Sequence, residues 1–186
     1  DREMDGSGGA SEARLNQSVK DRETILIRLA GLLGLFSTGL YIVINFALLA
    51  FPSPSGLPLE QLKTYISDHA GAMAAANGLR YLALFCIPFV AVGLYLLTRR
   101  GAKPAGNGWS ILGLIGGAGL LTMGIITNTI QAMAFLPFAG LSERPEQFML
   151  LWNLSRLLFR AAMLLTGLMI LGFSIAGRQS ATLPLW

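Results

Sequence analysis

Four long apolar stretches, residues 25–50, 73–97, 109–137 and 148–176, contain not one Asp or Glu among them. Each exceeds the roughly 20 residues a helix needs to cross the hydrocarbon core of a bilayer. No water is available there to bond exposed amides, so a spanning segment must satisfy its own backbone groups, as a helix does. The chain is therefore expected to be all-α: an integral membrane four-helix bundle whose first partner is the lipid bilayer. Residues 24–178 form that four-span domain, preceded by a flexible polar tail (1–23), whose second half from about Ser11 has the propensity to extend the first helix into water, and followed by a short C-terminal tail (179–186).

Composition agrees with this reading. Hydrophobic residues make up 53% of the chain and charged residues 13%, too few charges for an ordinary water-exposed surface. A pI near 9.6 raises the question of nucleic acid. The cations argue against it, because they stand singly or in pairs at span ends, where they orient a membrane protein. The first apolar stretch is longer than a signal-peptide core and lacks a small-residue cleavage site after it, so it reads as a retained helix.

Cation placement sets the orientation. Arg2, Arg14, Lys20, Arg22, Arg28, Arg99, Arg100, Lys103 and Arg178 fall on one side, nine in all, against Lys63 and Arg144 on the other. The positive-inside rule then places both termini in the cytoplasm.

Between the first two spans, Pro52, Pro54, Gly56 and Pro58 end the first helix. Beyond them Leu59, Leu62, Tyr65, Ile66 and His69 recur at helical spacing with Glu60, Lys63 and Asp68 on other faces. That pattern predicts a short amphipathic interfacial helix over 58–69, covering the bundle's end or acting as a lid. Pro145 suits the first turn of the fourth helix, with Ser142 as its cap. Pro88 should kink the second helix, and Trp186 suits an interface.

The least ordinary residues are Arg80, Arg156 and Arg160, arginines that lie beyond the first turn of the apolar segments holding them. Arg156 lies about 12 Å into the fourth segment at 1.5 Å per residue. The second and fourth helices start from the same side, so all three arginines fall in that half of the membrane. An intramembrane charge is costly and ordinarily faces the bundle interior or a wet cavity. The acids on that side, Glu60, Asp68, Glu143 and Glu146, all lie in connections. Two readings stay open. Loop acids fold inward or the arginines reach lipid phosphates, or the arginines form a binding site for a lipid or amphiphilic anion. In the second reading Asn77 and Asn153, each three residues before an arginine, fix its orientation. A planar guanidinium suits a carboxylate or phosphate head because it binds in bidentate fashion.

Polar residues on the other helices, Thr127, Asn128, Thr129 and Gln131 on the third and Ser37, Thr38 and Asn45 on the first, are expected to bond between helices. Gly113, Gly117 and Gly124 share one side of the third helix. Such a stripe lets backbones approach closely, within the chain or against a homo-oligomer or membrane-complex partner.

Catalytic signatures are missing. There is no HExxH, no Cys-x-x-Cys, no paired carboxylates and no Ser/His/Asp set in the spans, so a non-enzymatic role is expected. Cys86, the only cysteine, can form neither an intrachain disulfide nor a thiolate metal site. His69, the only histidine, excludes a bis-histidine haem in one copy and reads as a hydrogen-bonded interfacial residue. No cofactor can be named.

Two stretches, Arg28-Leu-Ala-Gly-Leu-Leu-Gly-Leu-Phe and Gly167-Leu-Met-Ile-Leu-Gly-Phe-Ser-Ile-Ala-Gly-Arg with Leu183-Pro-Leu-Trp, resemble a bacterial family of small multi-pass membrane proteins known as a domain of unknown function. The resemblance implies a bacterial inner-membrane setting and no activity. The alternative to lipid binding, from a different class, is an accessory subunit of a larger membrane complex.

Overall fold

The computed structural model describes residues 7–51, 53–99, 104–135, 140, 141, 143–180 and 182, with side chains described from Gln17 onward and, in the third helix, from Gly108. Arg100, Lys103, Ser142 and Trp186 lie outside the described residues. Four helices make up nearly all of it: α1 (Ser7–Leu48), α2 (Leu59–Arg99), α3 (Pro104–Phe135) and α4 (Pro145–Gln179). No strand occurs among the described residues. All four helices are long and apolar enough to cross a membrane, which fits an integral membrane protein.

The helices run up and down. Ser37 of α1 donates to the Ala83 carbonyl of α2, Thr98 of α2 bonds Ser110 of α3, and Gln131 of α3 donates to Ser155 of α4. We call the end carrying the α1–α2 and α3–α4 connections the distal end. The packing order is uneven: α2, α3 and α4 pack on one another, whereas α1 leans on α2 and meets the others only marginally.

Small residues set these seams. In lipid there is little hydrophobic drive between helices, so close backbone approach supplies the attraction. A Cβ on Gly93 of α2 would collide with Ala30 of α1. On Gly117 it would lie 3.0 Å from the Ala91 Cβ of α2, and on Gly124 2.6 Å from Leu84. Toward α4, Gly113 meets the Phe173 ring, and Gly116 would bring a Cβ within 2.5 Å of the Met169 nitrogen. The glycine face of α3 is thus occupied from within the chain; a second molecule could use Gly113, Gly117 or Gly124 only by displacing α2 or α4.

Residues 59–69 are helical, but they are the first three turns of α2 rather than a separate interfacial element. Leu62, Tyr65 and Ile66 are buried, packed with Met73, Phe135 and Phe148 in a core at the distal end. The amphipathic face seen in the sequence therefore meets protein instead of the membrane surface. α1 is also longer than the apolar stretch it contains. It begins at Ser7, so much of what reads as a polar tail continues the helix, and Gln17–Asp21 stand exposed. Elongating an existing helix costs far less than nucleating one, so helix-forming residues ahead of a span extend it readily.

The start of α4 has Pro145 in its first turn as expected, but Arg144 occupies the cap position and its side chain makes no cap hydrogen bond. Gly140 (φ 61°) turns the chain there through a left-handed conformation that favours glycine. α2 continues as helix through Pro88.

Candidate functional site

A cavity of about 850 Å3 lies between α1 and α4, backed by α2 and α3. Its size falls in the range of small-molecule sites. Arg80, Arg156 and Arg160, scattered in sequence, all line it. Along α3 its wall runs from Leu120 to Phe135, roughly 22 Å at 1.5 Å per residue. On α4, Arg156, Arg160 and Met163, spaced four and three residues apart, face this space, whereas Asn153 and Gly167 at the same helical steps do not line it.

The Arg80 and Arg156 guanidiniums have neutral partners. Arg80 Nη1 donates to Gln131 Oε1 at 2.7 Å and, more weakly, to Asn77 Oδ1 at 3.4 Å. Gln131 in turn donates through Nε2 to Ser155 Oγ at 3.4 Å, and Ser155 donates to the Trp152 carbonyl at 2.7 Å. One polar relay therefore ties α2, α3 and α4 at the arginine level. Arg156 donates to Ser55 Oγ at 3.1 Å, which pins the short 3-10 turn Pro54–Gly56 across the top of the cavity. No carboxylate lines the cavity among the described residues. The expectation that Glu60, Asp68, Glu143 or Glu146 folds inward to meet the arginines is not met there.

The two asparagines separate. Asn77 is buried, 3% exposed, and supports Arg80 from within its own helix, outside the cavity wall. Asn153 is exposed and lies apart from the cavity. The shared spacing Asn77/Arg80 and Asn153/Arg156 thus gives two different arrangements, because the bundle presents different faces of α2 and α4 to its interior.

Several cavity groups are absent from the sequence-based selection. The Tyr65 hydroxyl, the Thr127 hydroxyl and the Trp152 indole N–H are buried, line the cavity and have no hydrogen-bond partner. Gln131, expected only to bond between helices, is the chief acceptor for Arg80. A polar patch on α3 signalled Thr127 and Gln131. Nothing in the sequence distinguishes Tyr65 and Trp152 from other interfacial aromatics.

Other polar residues bond between helices or within their own. Thr129 of α3 bonds Tyr81 of α2 at 2.6 Å, while Asn45 donates to the Tyr41 carbonyl of its own helix. His69 stacks on Tyr65, with ring centroids 4.3 Å apart, and its Nδ1 lies 2.8 Å from the Tyr65 carbonyl. Cys86 is buried, its Sγ directed at the Leu82 carbonyl. No three His, Cys, Asp or Glu side chains converge among the described residues.

Fold and site together fit a helical membrane protein, with a cationic, largely apolar cavity between its helices. No protein-family model, no curated protein and no solved structure matches the chain. The likeness of its first and last helices to a bacterial family therefore carries no argument about the site.

Proposed function

We propose that this is a non-enzymatic integral membrane protein that binds a lipid or amphiphilic anion in the α1–α4 cavity. The observation that supports the reading is the convergence of Arg80, Arg156 and Arg160 on one cavity whose described lining holds no carboxylate. Charges placed at hydrocarbon depth are costly unless compensated. An anionic head among the guanidiniums compensates them, and the apolar wall formed by Ile42, Phe46, Phe159 and Met163 accommodates its hydrocarbon. With both termini cytoplasmic, as the cation count argues, the site occupies the outer half of a cell membrane. Mild detergent extraction followed by native mass spectrometry tests this. An amphiphilic anion should remain on the wild-type protein and be lost from Arg160→Gln; equal occupancy in both would remove the arginines from the site.

A second reading, an accessory subunit of a membrane complex, draws on a different feature. The polar start of α1 projects from the bundle, with Gln17–Asp21 exposed. The same extraction separates the two, since a subunit would bring a stoichiometric protein partner with it.

A further inference from the structure

The cavity's walls differ sharply in how they are closed. At the distal end Phe51, Tyr65, Phe135 and Trp152 all line it within a linked aromatic cluster. Over them lies the Pro54–Gly56 turn, with Pro54 buried and Ser55 held by Arg156. The side between α1 and α4 is open. α1 and α4 scarcely touch. Cavity residues on both lips are exposed, Ile42 at 52%, Phe46 at 71% and Leu49 at 78% on α1, Phe159 and Met163 at 47% each on α4. These are large apolar side chains, suited to contact with acyl chains rather than water.

The polar chemistry inside is equally one-sided. Arg80, Arg156 and Arg160 bring three positive charges, and the Tyr65, Thr127 and Trp152 donors, the first two 5% and 3% exposed, have no protein acceptor. A carboxylate or phosphodiester brings one negative charge. A phosphate monoester carries about −1.5 to −2 and three acceptor oxygens, and so matches this donor-rich set better.

We infer that the occupant is a membrane lipid with a phosphate-monoester head, taken up sideways from the bilayer through the α1–α4 cleft. The inference rests on the anion-binding reading above and adds to it the head chemistry and the route. The head sits among the arginines while its acyl chains leave between α1 and α4, so the ligand never has to pass the aromatic cluster.

Trp152 provides the reporter. In a Trp109→Phe/Trp186→Phe protein, reconstituted in phosphatidylcholine nanodiscs, its fluorescence is titrated with phosphatidic acid brominated on the acyl chain near the head. Quenching is expected at about one-tenth the mole fraction needed for equally brominated phosphatidylglycerol, a monoanionic diester. It should persist in excess inorganic phosphate, and Arg160→Gln, at an exposed position, should abolish the preference while the protein stays folded. Equal quenching by both lipids would overturn the monoester head and leave anion binding standing. Relief by inorganic phosphate would overturn the membrane route, since a free ion reaches the arginines only from water. Quenching no stronger for either anionic lipid than for brominated phosphatidylcholine would overturn the anion-binding reading itself.

Discussion

Arg80 Nη1 and Gln131 Oε1 lie 2.7 Å apart, joining the middle of α2 to the distal part of α3. The pair is a charge without a countercharge: the amide oxygen orients the guanidinium and leaves its positive charge unbalanced. On the proposed reading, that imbalance suits the cavity to an anion rather than to a closed structural ion pair.

Two substitutions at Gln131 separate structure from binding. Gln131→Leu leaves a half-buried guanidinium short of its acceptor and should cost about 1–3 kcal/mol of stability. Gln131→Glu supplies the missing negative charge, so the folded protein should be as stable as wild type while its affinity for anionic lipid falls about tenfold. Unfolding midpoints in detergent and lipid binding on the same samples check both.

Glycines that look alike in the sequence should respond in opposite ways. A Cβ on Gly172 would lie 2.5 Å from the Gly113 nitrogen, backbone that cannot yield cheaply, whereas nothing lies within 4 Å of one on Gly39. Gly172→Ala should destabilise by roughly 2 kcal/mol or more through forced separation of α3 and α4. Gly39→Ala should be neutral or stabilise by up to about 1 kcal/mol through helix propensity. Unfolding midpoints of the two variants give the comparison; equal losses would mean that α3 and α4 are not this close.

The Arg156–Ser55 bond fastens an exposed turn, and single hydrogen bonds of this kind contribute little. Ser55→Ala should change global stability by less than about 1 kcal/mol. Amide hydrogen exchange should nevertheless quicken over residues 53–57 and leave α4 unaffected. Slow exchange there in the variant would show that the turn is held by its own packing, with Pro54 as the anchor.

Orientation has a direct readout. On a Cys86→Ala background, Ser55→Cys should react with an impermeant thiol reagent applied to intact cells, and Gln179→Cys should react only after lysis. The reverse pattern would put the cavity in the cytoplasmic half. Both positions are exposed, so access rather than burial decides the result.

Length and acid-free composition were enough to read four spanning helices, because hydrocarbon allows a single chain segment few ways to satisfy its backbone. The arginines' level could be read for the same reason: helices rising from one side carry depth in their numbering. Which faces meet is another matter. The amphipathic stretch 59–69 has the same period whether it rests on a membrane or on Phe135 and Phe148, and only the bundle decides that it is α2's buried start. Asn77 and Asn153 share a spacing to an arginine, yet one is buried behind Arg80 and the other exposed. The sequence by itself thus determined that the chain forms four helices long and apolar enough to cross hydrocarbon, with arginines at one level along them. That Arg80, Arg156 and Arg160 line one cavity, open between α1 and α4, was decided by how the helices rotate and lean on one another. Glycine contacts between distant segments govern those rotations, and a one-dimensional pattern does not contain them.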